Sequence, residues 1–316
     1  MNSAQIFRIA TRSSELALRQ ARMVADLLQS TGLRSELVTY KTTGDRNLAQ
    51  PLSEIGAKGL FTKELEDDLA RGLVHCCVHS LKDLPTAMPE GLELGALLPR
   101  EDPRDVLIVN QHVGASTIAG LPEGSTVGTS SLRRRAQLLA LRDDLEVVEL
   151  RGNVPTRIRK VDDGQVQAAI LAAAGLHRLD VAQRISSYLD APAWLPAAGQ
   201  GAIAVQVRSD DPESKRAIAA LNDSKTEIAT RAERAFLAAL EGGCQVPIGS
   251  LAMGNELFGF ISEVDGRRAL RGRVALDSTN PEASGISLAA TLREQGASEI
   301  LAGFQRVHDA PSPQPE

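Results

Sequence analysis

Thr126-Val127-Gly128-Thr129-Ser130-Ser131-Leu132-Arg133-Arg134-Arg135 runs from a short β-prone segment, through a polar turn, into a basic helical pattern. The same design recurs along the chain. Ile6 to Ala10 leads through Thr11-Arg12-Ser13-Ser14 into Leu16, Ala17, Gln20, Met23, Val24 and Leu27 at helical spacing. Glu146 to Leu150 leads into Arg151-Gly152-Asn153, with Pro155 suited to a first helical turn and Arg157 just beyond it. Ala168 to Ala172 leads into Ala173-Ala174-Gly175-Leu176-His177-Arg178. Strands that alternate with helices in this way predict an α/β fold with mainly parallel sheets.

Two crossings divide the run of elements, the first charged and proline-bearing, the second bearing proline and glycine. Pro99 to Asp105 is one, and Leu195-Pro196-Ala197-Ala198-Gly199-Gln200-Gly201 is the other. Ala202 to Val207 then reads as a strand able to rejoin the first sheet. The expected organisation is a first lobe over 1–100 and 202–220, a second over 105–196, and a cleft between them. Beyond it, Ser224-Lys225-Thr226-Glu227 has the form of a capping box. A hairpin about Asp265-Gly266 and a helix over Ile286 to Arg293 complete a small α+β third domain, 223–316. The closing HDAPSPQPE is proline-rich and expected to be disordered.

Composition narrows the ligand. Aromatics are only 3% of the 316 residues, so stacking platforms for single-stranded nucleic acid are scarce, and the net charge of -5 does not suit a polyanion. Nothing near the N-terminus resembles a signal peptide and no stretch approaches a membrane span, so a cytoplasmic protein is expected. The three cysteines give no disulfide framework, in keeping with a reducing compartment. In an acidic chain, arginines gathered at strand-to-helix junctions suit a small ligand with several carboxylates or phosphates. The ends of such strands face a crevice, helix N-termini favour anions, and guanidinium pairs with carboxylate through two hydrogen bonds. Walker A and G-x-G-x-x-G patterns are absent, against a nucleotide.

Two further features bear on chemistry. Lys82-Asp83 ends a buried strand, where the carboxylate is either a loop salt bridge or an anion set beside a ligand N–H or a developing cation. Lys82 as a Schiff-base former is a third option. His75 and His79 have no other metal ligands near them in sequence and read either as structural or as supporting the residues that touch a ligand; no metal site is expected. Gly242-Gly243-Cys244 reads either as a helix stop with a buried thiol or as a thiol held out for covalent attachment. On the residues alone, an enzyme, a two-lobed solute-binding or effector-sensing protein, and a pyridoxal-phosphate enzyme all stay open. The last lacks its phosphate-cup signals.

Eight segments taken in order closely resemble the porphobilinogen deaminase (hydroxymethylbilane synthase) family: ATRSSELAL, GAKGLFTKELE, HSLKDLP, REDPRD, GTSSLRRRAQL, LRGNVPTR, LPAAGQGA and LEGGCQVPIG. They extend from about residue 8 to about 250. The resemblance implies two lobes like those of periplasmic binding proteins, plus a third domain. It also implies a dipyrromethane cofactor joined by a thioether to Cys244, onto which four porphobilinogen units are added head to tail with loss of ammonia before hydroxymethylbilane is released. Carried over by motif, Cys244, Lys82, Asp83, Thr129, Ser131, Arg133, Arg134, Arg151 and Asn153 would bind the cofactor. Arg12, Ser14, Arg151, Arg157 and Arg178 would bind the substrate. Asp83 would be the catalytic group, holding pyrrole N–H groups and stabilising the azafulvene-like cation left when ammonia departs. Residues 46 to 60 become a candidate lid. Arg135 stands outside the shared pattern and is expected to face solvent. A monomer is expected, with porphobilinogen as partner and neither nucleic acid nor membrane.

Overall fold

The computed structural model describes residues 6–42, 62–240 and 246–308. The candidate lid, Cys244 and the proline-rich end from 309 on lie outside these residues.

The chain begins with β1 (Phe7–Arg12), α1 (Glu15–Ser30) and β2 (Ser35–Tyr40). Ser14 caps α1 by accepting from the Ala17 N–H, and Gln20, Ala21, Val24 and Leu28 form its buried face. There follow α2 (Lys63–Ala70), β3 (Cys76–Ser80), a 3-10 turn over Leu81–Asp83, β4 (Leu92–Leu97) and β5 (Asp105–Val109). Next come β6 (Thr126–Gly128), α3 (Leu132–Leu141), β7 (Glu146–Val148), α4 (Val154–Asp162), β8 (Ala168–Ala172) and α5 (Ala173–Arg178). β9 (Ser187–Leu189), β10 (Ile203–Arg208), α6 (Pro212–Ala219) and α7 (Ser224–Ala239) lead to the last region. It contains β11 (Ile248–Met253), β12 (Glu256–Ser262), β13 (Ala269–Ala275), α8 (Pro281–Glu294) and α9 (Ala297–His308).

Two five-stranded sheets share one plan. The first has the order β2-β1-β3-β10-β4 and the second β7-β6-β8-β5-β9. In each, the first three strands pair parallel and the remaining pairings are antiparallel. The antiparallel strands are those that follow the two crossings: β5 comes out of the first and β10 out of the second. Both faces of these sheets are covered, which is why Asp105 to Val109 and Ile203 to Val207 are buried throughout rather than alternating. The third sheet, β11-β12-β13, is antiparallel and packs on α7 and α8 through Phe236, Leu257, Leu288 and Leu292.

The crossings run side by side at the base of the cleft. Glu101 N–H donates to the Gly201 carbonyl at 3.2 Å and Leu98 N–H to the Ile203 carbonyl at 3.0 Å. Gly201 has φ +90°, and a Cβ there would stand 2.3 Å from the Glu101 carbonyl oxygen, so only glycine lets the two strands approach this closely.

Differences from the sequence reading are local. β4, β5, β9, β11 and α6 are not among the expected elements: β4 and β11 sit against glycine or proline, β5 starts within the proline-rich crossing, and β9 is only three residues long. The expected helix at Ile286 starts earlier, at Pro281 under an Asn280 cap, and a second helix follows it. Arg135 is only partly exposed, donating to the Val147 carbonyl at 3.1 Å.

Candidate active site

The carboxyl ends of β1, β3, β6 and β8 meet at a cleft with two adjoining hollows, which share Leu16, Gln20 and Ser80. One, with about 440 Å³ of free space, is lined by Arg12, Ser14, Thr62, His79 and Asp83. The other, with about 520 Å³, is lined by Lys82, Arg134, Arg157, Arg178 and Gln200. Lys82 and Asp83 are neighbours in the 3-10 turn and face different hollows, because consecutive residues of a tight turn diverge.

Asp83 is exposed at the end of β3, and its carboxylate makes no hydrogen bond to a described residue. Lys82 still has part of its surface in the cleft, but its ammonium lies deep between the lobes. Burial, then the Arg134 charge, bring its pKa down to about 8, against the opposing pull of Asp83 and Asp105. Arg157 donates from Nε to the Gly152 carbonyl at 2.8 Å and has no ion pair among the described residues. Burial and the nearby Arg134 lower its pKa to about 10. Arg178 donates from Nη2 to the Gly201 carbonyl at 2.7 Å, while its Nε is buried with no hydrogen-bond acceptor. Burial likewise lowers its pKa. An excess of guanidinium over carboxylate, with an orphaned donor, is a site short of anions.

Several residues expected at the ligand are engaged in local structure. Ser14, Ser131 and Asn153 are N-caps whose side-chain oxygens accept from Ala17, Arg134 and Thr156 N–H groups. Thr129 is buried, and its Oγ1 accepts from Ser131 N–H at 3.2 Å. These bonds shape the helix N-termini. The hydroxyl hydrogens of Ser14 and Ser131 and the amide NH₂ of Asn153 are not used in them. Arg151 stands 3.9 Å from Glu149, with its side chain mostly covered. Arg12 and Ser14 lie in the Asp83 hollow.

The two arginines of α3 are arranged about a residue outside the expected set. Asp105 is fully buried, and Oδ2 accepts from Arg133 Nη1 at 2.7 Å and Trp194 Nε1 at 2.9 Å. Oδ1 accepts from Arg134 Nε and Nη2 at 3.1 and 2.7 Å, and from Gln200 Nε2 at 2.8 Å. Burial alone would raise the Asp105 pKa. The two guanidiniums and their hydrogen bonds outweigh it and hold the carboxyl far below the usual range. Arg133 also donates to the Leu195 carbonyl and lines neither hollow, whereas Arg134 lines the second. Sequence reasoning missed Asp105 and Gln20. The signal for Asp105 was its place at the end of the REDPRD segment, where the next strand begins.

At the inner wall of the Asp83 hollow, His79 is buried and contacts Gln206 Oε1 through Nε2 at 3.1 Å, and burial lowers its pKa to about 4. Gln206 Nε2 donates to Glu66 Oε1 at 3.0 Å. This supports the structural reading of His79. Among the described residues no cluster of His, Cys, Asp or Glu has metal-holding geometry, and no helix is long and apolar enough to cross a membrane.

Residues 7–216 match the family model described as "Porphobilinogen deaminase, dipyromethane cofactor binding domain", and residues 228–294 match "Porphobilinogen deaminase, C-terminal domain". The chain belongs to the porphobilinogen deaminase family. It is 46% identical over 309 residues to the porphobilinogen deaminase of Syntrophobacter fumaroxidans, covering 96% of this chain and 99% of that one. It is 49% identical over 300 residues to that of Moorella thermoacetica, covering 93% and 95%. Among solved structures it is similar to the methionine-binding protein MetQ, with TM-score 0.45 at 13% identity, covering 74% of this chain and 94% of that one. It is also similar to the VFT2 domain of Bordetella pertussis BvgS, with TM-score 0.42 at 19% identity, covering 68% and 85%.

Family membership separates the readings that the residues alone left open: the cleft is that of a transferase of tetrapyrrole synthesis, not of a solute carrier or a pyridoxal-phosphate enzyme. The family's cofactor is a dipyrromethane carried on a cysteine. A dipyrromethane brings acetate and propionate groups on each pyrrole, and the cations Lys82, Arg157 and Arg178 that line the second hollow fit such a polyanion.

Proposed function

We propose that the two hollows form one carboxylate-binding track on which porphobilinogen is joined, with loss of ammonia, to a primer anchored by a thioether at Cys244. The observation that supports this most is the placing of Asp83, an exposed carboxylate without a hydrogen bond to a described residue, at the edge of a cleft otherwise dominated by cations. When bound, the dipyrromethane supplies the nucleophilic terminal pyrrole carbon. Asp83 accepts pyrrole N–H groups and faces the positive charge that develops on the incoming porphobilinogen as ammonia leaves. Arg12, Arg151, Arg157 and Arg178 bind acetate and propionate groups, and Lys82 and Arg134 do so from opposite lobes. Ser14, Thr129, Ser131 and Asn153 hold helix N-termini toward the same groups. Arg133 acts by fixing Asp105 and, through it, Arg134.

The division into lobes 1–100 with 202–220 and 105–196, with a third domain from 223, belongs to the same reading. So do a monomeric state, a cytoplasmic location and the absence of a nucleic-acid partner. The test is the intact mass of the denatured protein, expected to exceed the chain mass by one dipyrromethane. Asp83→Ala is expected to keep that adduct and lose turnover by at least about 100-fold. A bare chain from active enzyme, or full activity in Asp83→Ala, would sink the reading.

A further inference from the structure

Lys82, Gln200 and Asp105 form one polar line across the base of the cleft. Gln200 belongs to the second crossing and is 1% exposed. Its Nε2 donates to Asp105 Oδ1 at 2.8 Å and to the Pro103 carbonyl at 2.7 Å, both beside the start of the second lobe. Its Oε1 accepts from Lys82 Nζ at 3.2 Å, at the end of a first-lobe strand. Its own carbonyl accepts from Arg100 Nε at 2.9 Å, and Arg100 is gripped by Glu233 of α7. One side chain thus ties the ammonium of one lobe to the carboxylate that orients the guanidiniums of the other.

The amide is suited to this place by its chemistry. It accepts on one side and donates on the other, so it can stand between a cation and an anion without carrying charge. A direct Lys82–Asp105 contact would neutralise the ammonium. The interposed amide holds the ammonium in place without adding a negative charge beside it.

We propose that Gln200 is a positioning residue that sets Lys82 of the first lobe at a fixed spacing from Arg134 of the second, so that a ligand carboxylate is met from both sides. This rests on the assignment of Lys82 and Arg134 to carboxylate binding made above. Gln200 acts through Lys82, with Asp105 as its own anchor, and takes no part in bond making.

Steady-state kinetics of the holoenzyme test it. Gln200→Leu removes one acceptor from Lys82, and is expected to raise KM for porphobilinogen about ten-fold, the effect of one hydrogen bond to a charged group, with a smaller fall in kcat. Among the described residues, the charged groups that act on Lys82 include Arg134, Arg133, Asp83 and Asp105. With those unchanged, the alkaline limb of kcat/KM moves to lower pH in Gln200→Leu. In Gln200→Glu, which is nearly isosteric and gives Lys82 an anionic acceptor, it moves to higher pH. In a Lys82→Met background, Gln200→Leu is expected to change KM by less than about two-fold, since residues acting through one contact are not additive. An alkaline limb that moves in neither variant, or effects that multiply in the Lys82→Met background, would overturn the proposal. Wild-type protein without adduct or turnover would instead sink the functional reading itself, whatever the Gln200 variants do.

Discussion

Arg100 and Glu233 meet in a two-pronged ion pair, with Nη1 to Oε1 at 2.6 Å and Nη2 to Oε2 at 2.9 Å, and the Glu233 side chain is fully buried. Arg100 opens the first crossing and Glu233 lies on α7, so the pair joins the base of the cleft to the region preceding Cys244. Glu233 also accepts from the backbone N–H groups of Gly199 at 2.7 Å and Ala252 at 2.9 Å. A buried carboxylate bonded to this many donors is tolerable only while its cation is present. Arg100→Leu is therefore expected to cost about 3–5 kcal/mol in denaturant unfolding, the usual penalty for stranding a buried charge. A loss below about 1 kcal/mol would show that the backbone donors suffice.

Lys82 loses its charge as pH rises through about 8, within the working range of most assays. Carboxylate binding that depends on it is then complete below that value and fades above it. The kcat/KM profile of the free enzyme should show an alkaline limb near 8. Lys82→Arg keeps its charge at every accessible pH and should remove that limb, while an unchanged limb would assign it to another group.

Asp105 and His79 both make the fold sensitive to acid, over different ranges. The Asp105 carboxyl is depressed in the folded state, so its stabilisation is present above the usual carboxylate range near 4 and is lost as pH falls through its lowered folded value. His79, with its pKa lowered to about 4, is neutral in the folded state at pH values where an unfolded histidine binds a proton; stability therefore rises with pH from about 4 to about 6.5. His79→Gln should flatten the upper part of the acid unfolding curve. Asp105→Asn should flatten the lower part while lowering stability at neutral pH by about 3 kcal/mol, because two buried guanidiniums lose their anion.

Gly201→Ala places a methyl group against the Glu101 carbonyl and forces a non-glycine residue to φ +90°. A loss of about 2–4 kcal/mol is expected by thermal unfolding, together with reduced turnover, because the crossings beneath Lys82 and Arg178 must separate. Unchanged stability would mean that the crossings yield more easily than their hydrogen bonds suggest.

The strand-turn-helix junctions were legible because their signals are local. Ser14, Ser131 and Asn153 were visible as polar residues before helical runs, and their capping bonds are made within three residues. Much of the site depends on contacts distant in sequence. Asp105 lies 95 residues from Gln200 and 89 from Trp194, so no periodicity could connect them. Lys82 and Asp83 were visible as a pair, but their division between two hollows follows from the 3-10 turn. β5 was overlooked because a buried five-residue strand beginning inside a charged, proline-rich crossing carries no alternation.

The placement of β10 between β3 and β4 bears on how the molecule is made. β4 pairs only with β10 among the described strands, so it has no neighbour in its sheet until Ile203 to Arg208 have been synthesised. The second sheet needs only residues 105 to 189, all of which leave the ribosome earlier. The part translated first is thus finished second. During that interval the growing chain exposes an unpaired strand edge, a template for misassembly that the return of β10 removes.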